Sequence, residues 1–400
     1  MRILETTKFI DNSISIRTFL PFQRDKVTYY NLCALMMKLK TEKYPSKKEI
    51  LLRLNQAYNF RFSIRIQTIG ESFVFEFRFQ FIRSQHLPCP IDPLVLTEMM
   101  DQFLFHTRID PESFQESAHL LRNKLIRQYD DPDTIAYTQA LSLLDPSHPV
   151  TLRPEGYLED LDHISYERIP EILEQIHQAP RLVMACGDFE PSMASYLSGL
   201  DTCPKNWDCL LPYLSSGYQK EVILKQIEQT SLVLCCKTGI GLKDTQADSL
   251  IVMTSILGQC PNNLLFETIR EQNSLCYSVH SSLIRSCGLL LVHAGTSAQN
   301  VDELLALVDE QIKRLQNGDF STALLENAKR DLIDSLDMVQ DYPFAWMDQV
   351  FFNEYIEHKK SMDEKKRSIQ NITKEDVAAV SKTITKCSLA IVKEEPDESI

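Results

Sequence analysis

Apolar and polar positions follow two alternating periods along the chain, and the period changes mark its elements. Residues 1 to 20 alternate weakly, with Ile14 and Ile16 set against Ser15 and Arg17, and predict a first strand. Between Lys26 and Lys40, Tyr29, Tyr30, Leu32, Cys33, Met36 and Met37 form the broad apolar face of a helix. Pro45 breaks that pattern, and Ser46 is placed to cap a second helix over Lys47 to Gln56. A hairpin follows: Phe60, Phe62, Ile64 and Ile66 alternate with Arg61, Ser63 and Arg65, and beyond Gly70 the series Phe73, Phe75, Phe77, Phe79 and Phe81 repeats the pattern. Such strands are antiparallel, with one face on a core. Helical spacing then runs from Pro93 to Tyr129 and from Thr134 to Leu144, a further helix starts near Ser165, and RLVMACGDF reads as a short buried strand stopped by Gly187.

The second half repeats this order. SLVLCCKTG predicts a strand, Gln246 to Leu257 and Asn263 to Arg270 helices, and Ser274 to Ser281 and LLLVHAG a pair of strands joined at Ser286 to Gly288. Long helices over Val301 to Gln316 and Thr322 to Val339, a helix over Asp376 to Lys382 and the strand SLAIVK complete it. Asn300 with Glu303 reads as a capping box, and Gly318 as a helix stop. EILLRLNQAYNFRFSIRI parallels NLLFETIREQNSLCYSVH in the order helix, polar break, alternating strand, which implies an internal duplication whose period is a domain. The expected division is a domain over residues 1–200, a polar linker over 201–218 and a second domain over 219–400. Four hundred residues exceed what one hydrophobic core usually serves, in agreement with that division.

Composition narrows the function classes. The formal net charge of -13 argues against a nucleic-acid-binding surface. No basic segment followed by an apolar run opens the chain, and no apolar run is long enough to cross a bilayer, so a cytoplasmic protein is expected. The 11 cysteines are scattered apart from the neighbours Cys235 and Cys236, none at C-x-x-C spacing, and read as reduced core thiols. No two histidines lie three to five residues apart, so none makes a local metal site.

One stretch carries candidate chemistry. In LLFETIREQNSLCYSVH, from Leu264 to His280, an apolar helix ends in charge and turns into a strand on which Leu275, Tyr277 and Val279 alternate with Ser274, Cys276, Ser278 and His280. Arg270 and Tyr277 then flank one helix-to-strand turn, which brings a guanidinium and a phenol toward the same point as donors for a carbonyl oxygen or an oxyanion. The same spacing also suits an arginine at a helix C-terminus and a tyrosine at the edge of a core.

This stretch resembles the second-domain signature of the pitrilysin, insulin-degrading-enzyme and mitochondrial-processing-peptidase family, which has an Arg, a Glu after it and a Tyr seven positions beyond the Arg; Arg270, Glu271 and Tyr277 match it. TEKYPSKKEI, the DDPD turn, the His-Pro pair followed by Gly156, the GDF strand end and Ala328-Lys329 extend the resemblance over nearly the whole chain. The resemblance implies an α+β protein of two homologous domains, each an antiparallel sheet backed by helices. The family's chemistry uses an inverted zinc motif, H-x-x-E-H, on the first helix, with a distant Glu as third ligand. Counted back from TEKYPS, the motif falls on residues 31 to 35, where Asn31, Ala34 and Leu35 occupy the first His, Glu and second His positions. The third ligand falls near Lys124 and a helper Glu near Ser117. These residues leave no zinc site, and no His precedes His86. Glu354 to His358 imitates the motif with Glu for its first His, but in a lysine-rich stretch that reads as solvated surface.

In paired bacterial relatives, one chain keeps zinc and the other keeps Arg and Tyr. The resemblance therefore implies a non-catalytic subunit that needs no metal of its own, takes a zinc-bearing homologue as partner and presents Arg270 and Tyr277 to an extended peptide. By TEKYPSKKEI and the absent zinc motif, the chain resembles those subunits associated with aminopentanol modification of elongation factor EF-P; similar pairs also mature precursor peptides.

Overall fold

A computed structural model describes residues 1–203, 210–356 and 360–395. The first half supplies strands β1 (Arg2–Glu5) and β2 (Asp11–Pro21), helices α1 (Val27–Met36) and α2 (Lys47–Gln56), and the hairpin of β3 (Arg61–Ile69) and β4 (Ser72–Ile82). Helices α3 (Pro93–Phe105), α4 (Pro111–Asp130), α5 (Pro132–Ser142) and α6 (Ile169–Gln178), strand β5 (Arg181–Gly187) and helix α7 (Pro191–Leu200) follow. The second half supplies β6 (Gln219–Lys225), β7 (Thr230–Lys237), α8 (Ala247–Gly258), a wide π-helical segment (Phe266–Gln272), β8 (Cys276–Ile284) and β9 (Leu289–Thr296). After these come α9 (Val301–Asn317), α10 (Thr322–Val339), α11 (Pro343–Phe351), α12 (Met362–Gln370), α13 (Lys374–Ser381) and β10 (Thr385–Glu394).

The strands form two five-stranded sheets, β1-β5-β2-β4-β3 and β6-β10-β7-β9-β8, which are the same order in each half. The duplication read from the sequence therefore extends to topology. Both sheets are antiparallel except at one edge, where β1 runs parallel to β5 and β6 parallel to β10. The opposite edges, β3 and β8, each pair on one side only.

The chain divides into two compact units, Met1–Arg127 with Leu152–Cys209 and Gln340–Gln349, and Gln128–Thr151 with Leu210–Val339 and Val350–Ile400. Each unit thus takes a segment from the other half of the chain. The expected linker falls partly on residues 204–209, outside the described residues, as do Glu357 and His358 of the imitation motif.

In the first unit the phenylalanines at 73, 75, 77, 79 and 81 and Ile14, Ile16 and Leu20 face one core with α1 and α6. The other face of that sheet is charged. Arg17 and Glu76, both fully buried, pair at 3.1 Å, Arg78 pairs with Glu76 at 2.8 Å, and Asp348 of α11 joins Arg17, Arg65 and Arg78. The corresponding face in the second unit is apolar: Val233, Cys235, Leu289, Leu291, Ala390 and Val392 pack on Ala136, Ala140 and Leu141 of α5. The β3–β4 hairpin is antiparallel with one face on the first unit's core, as expected, and β4 is in addition largely buried on its other face.

Several local readings hold. Ser46 accepts from the Glu49 amide, and Gly318 ends α9 in the left-handed region at φ 69°. The capping box at Asn300 does not form, because its side chain turns to the Leu275 carbonyl, 3.4 Å away. Of the described cysteines, Cys33, Cys186, Cys235, Cys236, Cys260, Cys276, Cys287 and Cys387 are buried free thiols, whereas Cys89 is exposed.

Candidate functional site

The residues at the zinc-motif positions meet around one cavity. Asn31, Ala34 and Leu35 of α1, Lys38 just beyond its end, Leu121 and Lys124 of α4, Ile64 and Ile66 of the edge strand β3, and Pro154 and Glu155 line a space of about 180 Å³. The cavity thus brings Lys124, the residue the resemblance sets at the third-ligand position, together with Asn31, Ala34 and Leu35. Zinc does not fit the donors found there. Ala34 and Leu35 have none, and Asn31, almost fully buried, donates its amide to the Val27 carbonyl at 2.9 Å and the Pro154 carbonyl at 2.8 Å. Lys124 adds positive charge where a carboxylate ligand would be needed. Ser117, at the helper position, is fully buried with no hydrogen-bond partner for its hydroxyl.

What the pocket has gained is a structural anchor and a pair of cations. Asn31 fastens the 149–157 loop to α1, and Thr28 assists by accepting from the Tyr157 amide at 3.1 Å. The loop reaches this close because Gly156 sits at φ 92° with Thr28 backbone 3.1 Å from where a Cβ would be. Surrounding protein, and then the neighbouring charge of Lys124, hold the Lys38 ammonium below the usual lysine pKa. Among the described residues no carboxylate pairs with either lysine.

The Arg270 to Tyr277 segment is built differently. Asn263 accepts from the Phe266 amide at 2.9 Å and starts the wide helix, whose end places Arg270 in the open with its guanidinium 5.1 Å from the Phe266 ring. Ser274, at φ 53°, makes the turn, held by its amide to the Arg270 carbonyl at 3.1 Å and by the Leu275 amide to the Ile269 carbonyl at 3.0 Å. The strand then begins on a bulge. Cys276 pairs with Thr296 and Ser278 with Gly295, so Tyr277 is the extra residue without a partner on β9.

That bulge corrects the simple alternation expected for this strand. Tyr277 does not share a face with buried Val279; Cys276 does, and Tyr277 is 74 % exposed. The core-edge reading of Tyr277 is excluded by this exposure. Arg270 and Tyr277 are thus two exposed donors on a short, hydrogen-bonded turn, free of any role in the core. Nearby, Gly258 ends α8, and a Cβ there would sit 2.5 Å from the Ser281 amide nitrogen. Its smallness serves helix-to-strand packing.

Sequence reasoning missed a third feature, the rings of His280 and His293 stacked at 4.6 Å and 2° on the same strand pair, with the Ser282 hydroxyl 2.9 Å from His293 Nε2. Burial, and then His280, lower the His293 pKa to about 4, against a smaller opposing pull from Asp133. The register of β8 on β9, which brings the two rings together, has no signal in sequence spacing.

No described helix is long and apolar enough to cross a membrane, and among the described residues no cluster of three His, Cys, Asp or Glu side chains is placed to hold a metal ion.

Comparison with known proteins agrees with this picture. Residues 164–332 match the family described as Peptidase M16 inactive domain. The chain is 22% identical over 399 residues to the "Probable inactive metalloprotease YmfF" of Bacillus subtilis (strain 168), covering 96% of this chain and 92% of the relative. It is also 22% identical over 275 residues to the "Uncharacterized zinc protease YmxG" of the same organism, 67% of this chain and 66% of that protein. In fold it is similar to a conserved protein from Enterococcus faecalis V583 (TM-score 0.91, 18% identity, 99% of this chain and 96% of that one). A peptidase M16 inactive domain from Pseudomonas fluorescens gives a TM-score of 0.78 at 15% identity, over 100% of this chain and 96% of that one. Asn31, Ala34 and Leu35 stand where the catalytic motif of the pitrilysin and insulinase-type (M16) peptidases would, and residues 164–332 of the chain are similar to that family's inactive domain.

Proposed function

We propose that this protein is the non-catalytic subunit of a heterodimeric zinc peptidase, with a zinc-bearing homologue as its partner and an extended peptide as substrate. The observation that carries the reading is the turn at Arg270 and Tyr277. The fold spends a π-helical segment, a left-handed serine and a bulge on presenting two donors that contribute almost nothing to its own core. An exposed guanidinium and phenol on a rigid turn suit the backbone carbonyl of a bound peptide and the oxyanion that forms when a partner's metal-bound water attacks it. The free edge of β8 offers backbone groups for strand addition, which gives affinity with little sequence preference.

On this reading the partner's metal supplies the hydrolytic water and this chain holds the substrate, a division supported by the lack of zinc-ligand residues at positions 31, 34 and 35. A cytoplasmic pair acting in EF-P modification or in maturation of a precursor peptide would use the turn in the same way. The reading with no proteolytic role, a binding or scaffolding protein of the same fold, predicts no contribution from these two side chains. The test is peptide cleavage by the reconstituted pair. Arg270→Ala and Tyr277→Phe are each expected to lower turnover about a hundredfold while subunit association is unchanged. Unaltered cleavage by both variants would remove the assignment, and zinc bound stoichiometrically with cleavage by this chain alone would overturn the subunit reading.

A further inference from the structure

A second cavity of the first unit, of about 440 Å³, lies beyond the end of β4 and is lined by residues that no step above uses. Its walls include Phe81, Ile91, Leu96, Phe189 and Met193, and Arg83 lines it as well. Arg83 is only 5% exposed. Its Nη2 donates to the Thr7 carbonyl at 3.3 Å and lies 3.0 Å from His86 Nε2, which must accept because a guanidinium has no acceptor. Nε and Nη1 have no hydrogen-bond partner. Among the described residues no carboxylate pairs with Arg83.

A guanidinium keeps its proton, so this charge is withdrawn from water without an opposite charge, an arrangement that costs several kcal/mol when nothing compensates it. The two carboxylates on the lining, Asp188 and Glu190, are exposed at the rim. The cavity is therefore lined by a buried, unpaired cation and apolar side chains together with two exposed carboxylates. It is also held in shape: Asn12 donates to the Asp188 carbonyl at 2.7 Å and accepts from the Asp188 amide at 2.9 Å, against a Gly187 with no room for a side chain. Such a wall needs no ordering when a ligand arrives.

We propose that this cavity binds a small carboxylate with an apolar body, its carboxylate drawn to the unpaired Arg83 guanidinium and its hydrocarbon packed among Phe81, Leu96, Phe189 and Met193. The volume suits a ligand of amino-acid size. A free apolar amino acid and a branched short-chain acid share this chemistry, and they differ in the ammonium that Asp188 and Glu190 would face. The inference is independent of the peptidase-subunit reading.

The test is calorimetric titration of the full chain with 4-methylpentanoate, L-leucine and L-leucinol. At least one carboxylate is expected to bind at one site, with leucinol at least about tenfold weaker. Tighter binding of leucine identifies an amino-acid site, and tighter binding of methylpentanoate a simple-acid site. Arg83→Gln is expected to weaken the carboxylate about ten- to hundredfold. Because that variant can lose stability, Ile91→Trp serves beside it: it fills the cavity with Arg83 in place and is expected to abolish binding while circular dichroism and melting stay those of a folded chain. No saturable binding of either carboxylate at millimolar concentration overturns the proposal. So does equal binding of leucinol, or undiminished binding by folded Ile91→Trp.

Discussion

The pocket between α1, α4 and β3 and the turn leading into β8 each adjoin the free edge strand of their own sheet, and they treat their polar side chains in opposite ways. In the pocket every polar group at a former ligand position has been absorbed or changed in charge: Asn31 ties a loop to its helix, Ala34 and Leu35 are apolar, and Lys124 repels Lys38. At the turn the fold leaves its two polar side chains unused and exposed. Side chains the fold does not need are the ones available to another molecule. The sharpest way to break this contrast is to compare truncations at both places in the reconstituted pair. Arg270→Ala and Tyr277→Phe should cost a hundredfold to a thousandfold in turnover, whereas Lys124→Ala should change it by less than about threefold. Equal effects at the two places would mean the pocket still takes part in catalysis.

A second measurement probes the strands that carry the turn. His280 lies three residues past Tyr277 and stacks on His293, whose pKa burial and His280 lower to about 4, against the pull of Asp133. The sign follows from a depressed folded-state value: His293 stays neutral in the folded chain while its unfolded counterpart takes a proton near pH 6.5. The stabilisation is complete above that pH and is lost as pH falls from about 6.5 to about 4, by at most on the order of 3 kcal/mol. Urea unfolding at pH 7 and pH 4.5 should show this loss in the wild type and much less of it in His293→Gln. Parallel losses in the two proteins would place the acid sensitivity elsewhere.

The pocket has its own test. Asn31→Ala removes donors from the Val27 and Pro154 carbonyls and leaves a buried gap, so it should cost about 2 kcal/mol in stability. A loss below about 0.5 kcal/mol, read by the same unfolding method, would show that Asn31 anchors nothing.

The sequence made the duplication, the strand series and the missing zinc ligands legible, because each depends on residue type at a regular spacing. Asn31, Ala34, Leu35 and Lys124 were singled out by the family resemblance, and the structure lines one cavity with them. The bulge at Tyr277 was not legible: a single extra residue reverses which side chains face the core, and Leu275, Tyr277 and Val279 looked like one face. The packing role of Gly258 was not legible either, since the Ser281 nitrogen that would lie 2.5 Å from a Cβ there is a long-range neighbour. The exchanged segments 128–151 and 340–349 were equally hidden. Their helices carry ordinary amphipathic patterns, and nothing in such a pattern says which sheet it will cover.

The smallest expected effect separates the two causes that lower the Lys38 pKa. Burial is the larger and Lys124 the smaller, so Lys124→Ala should move Lys38 part of the way back toward the ordinary lysine range. A depressed lysine pKa means that the folded chain binds the proton less readily than the unfolded one, and stability at neutral pH is reduced until the pH passes the folded value toward about 10.4. Removing Lys124 should therefore stabilise by a few tenths of a kcal/mol at pH 7, the scale of an exposed like-charge pair, and the gain should fade in strong alkali. Titration of the Lys38 side-chain resonances in both proteins is the direct measurement. An unmoved Lys38 would mean that the two cations do not sense one another, and the pocket would then differ from a zinc site by its missing donors and not by its charge.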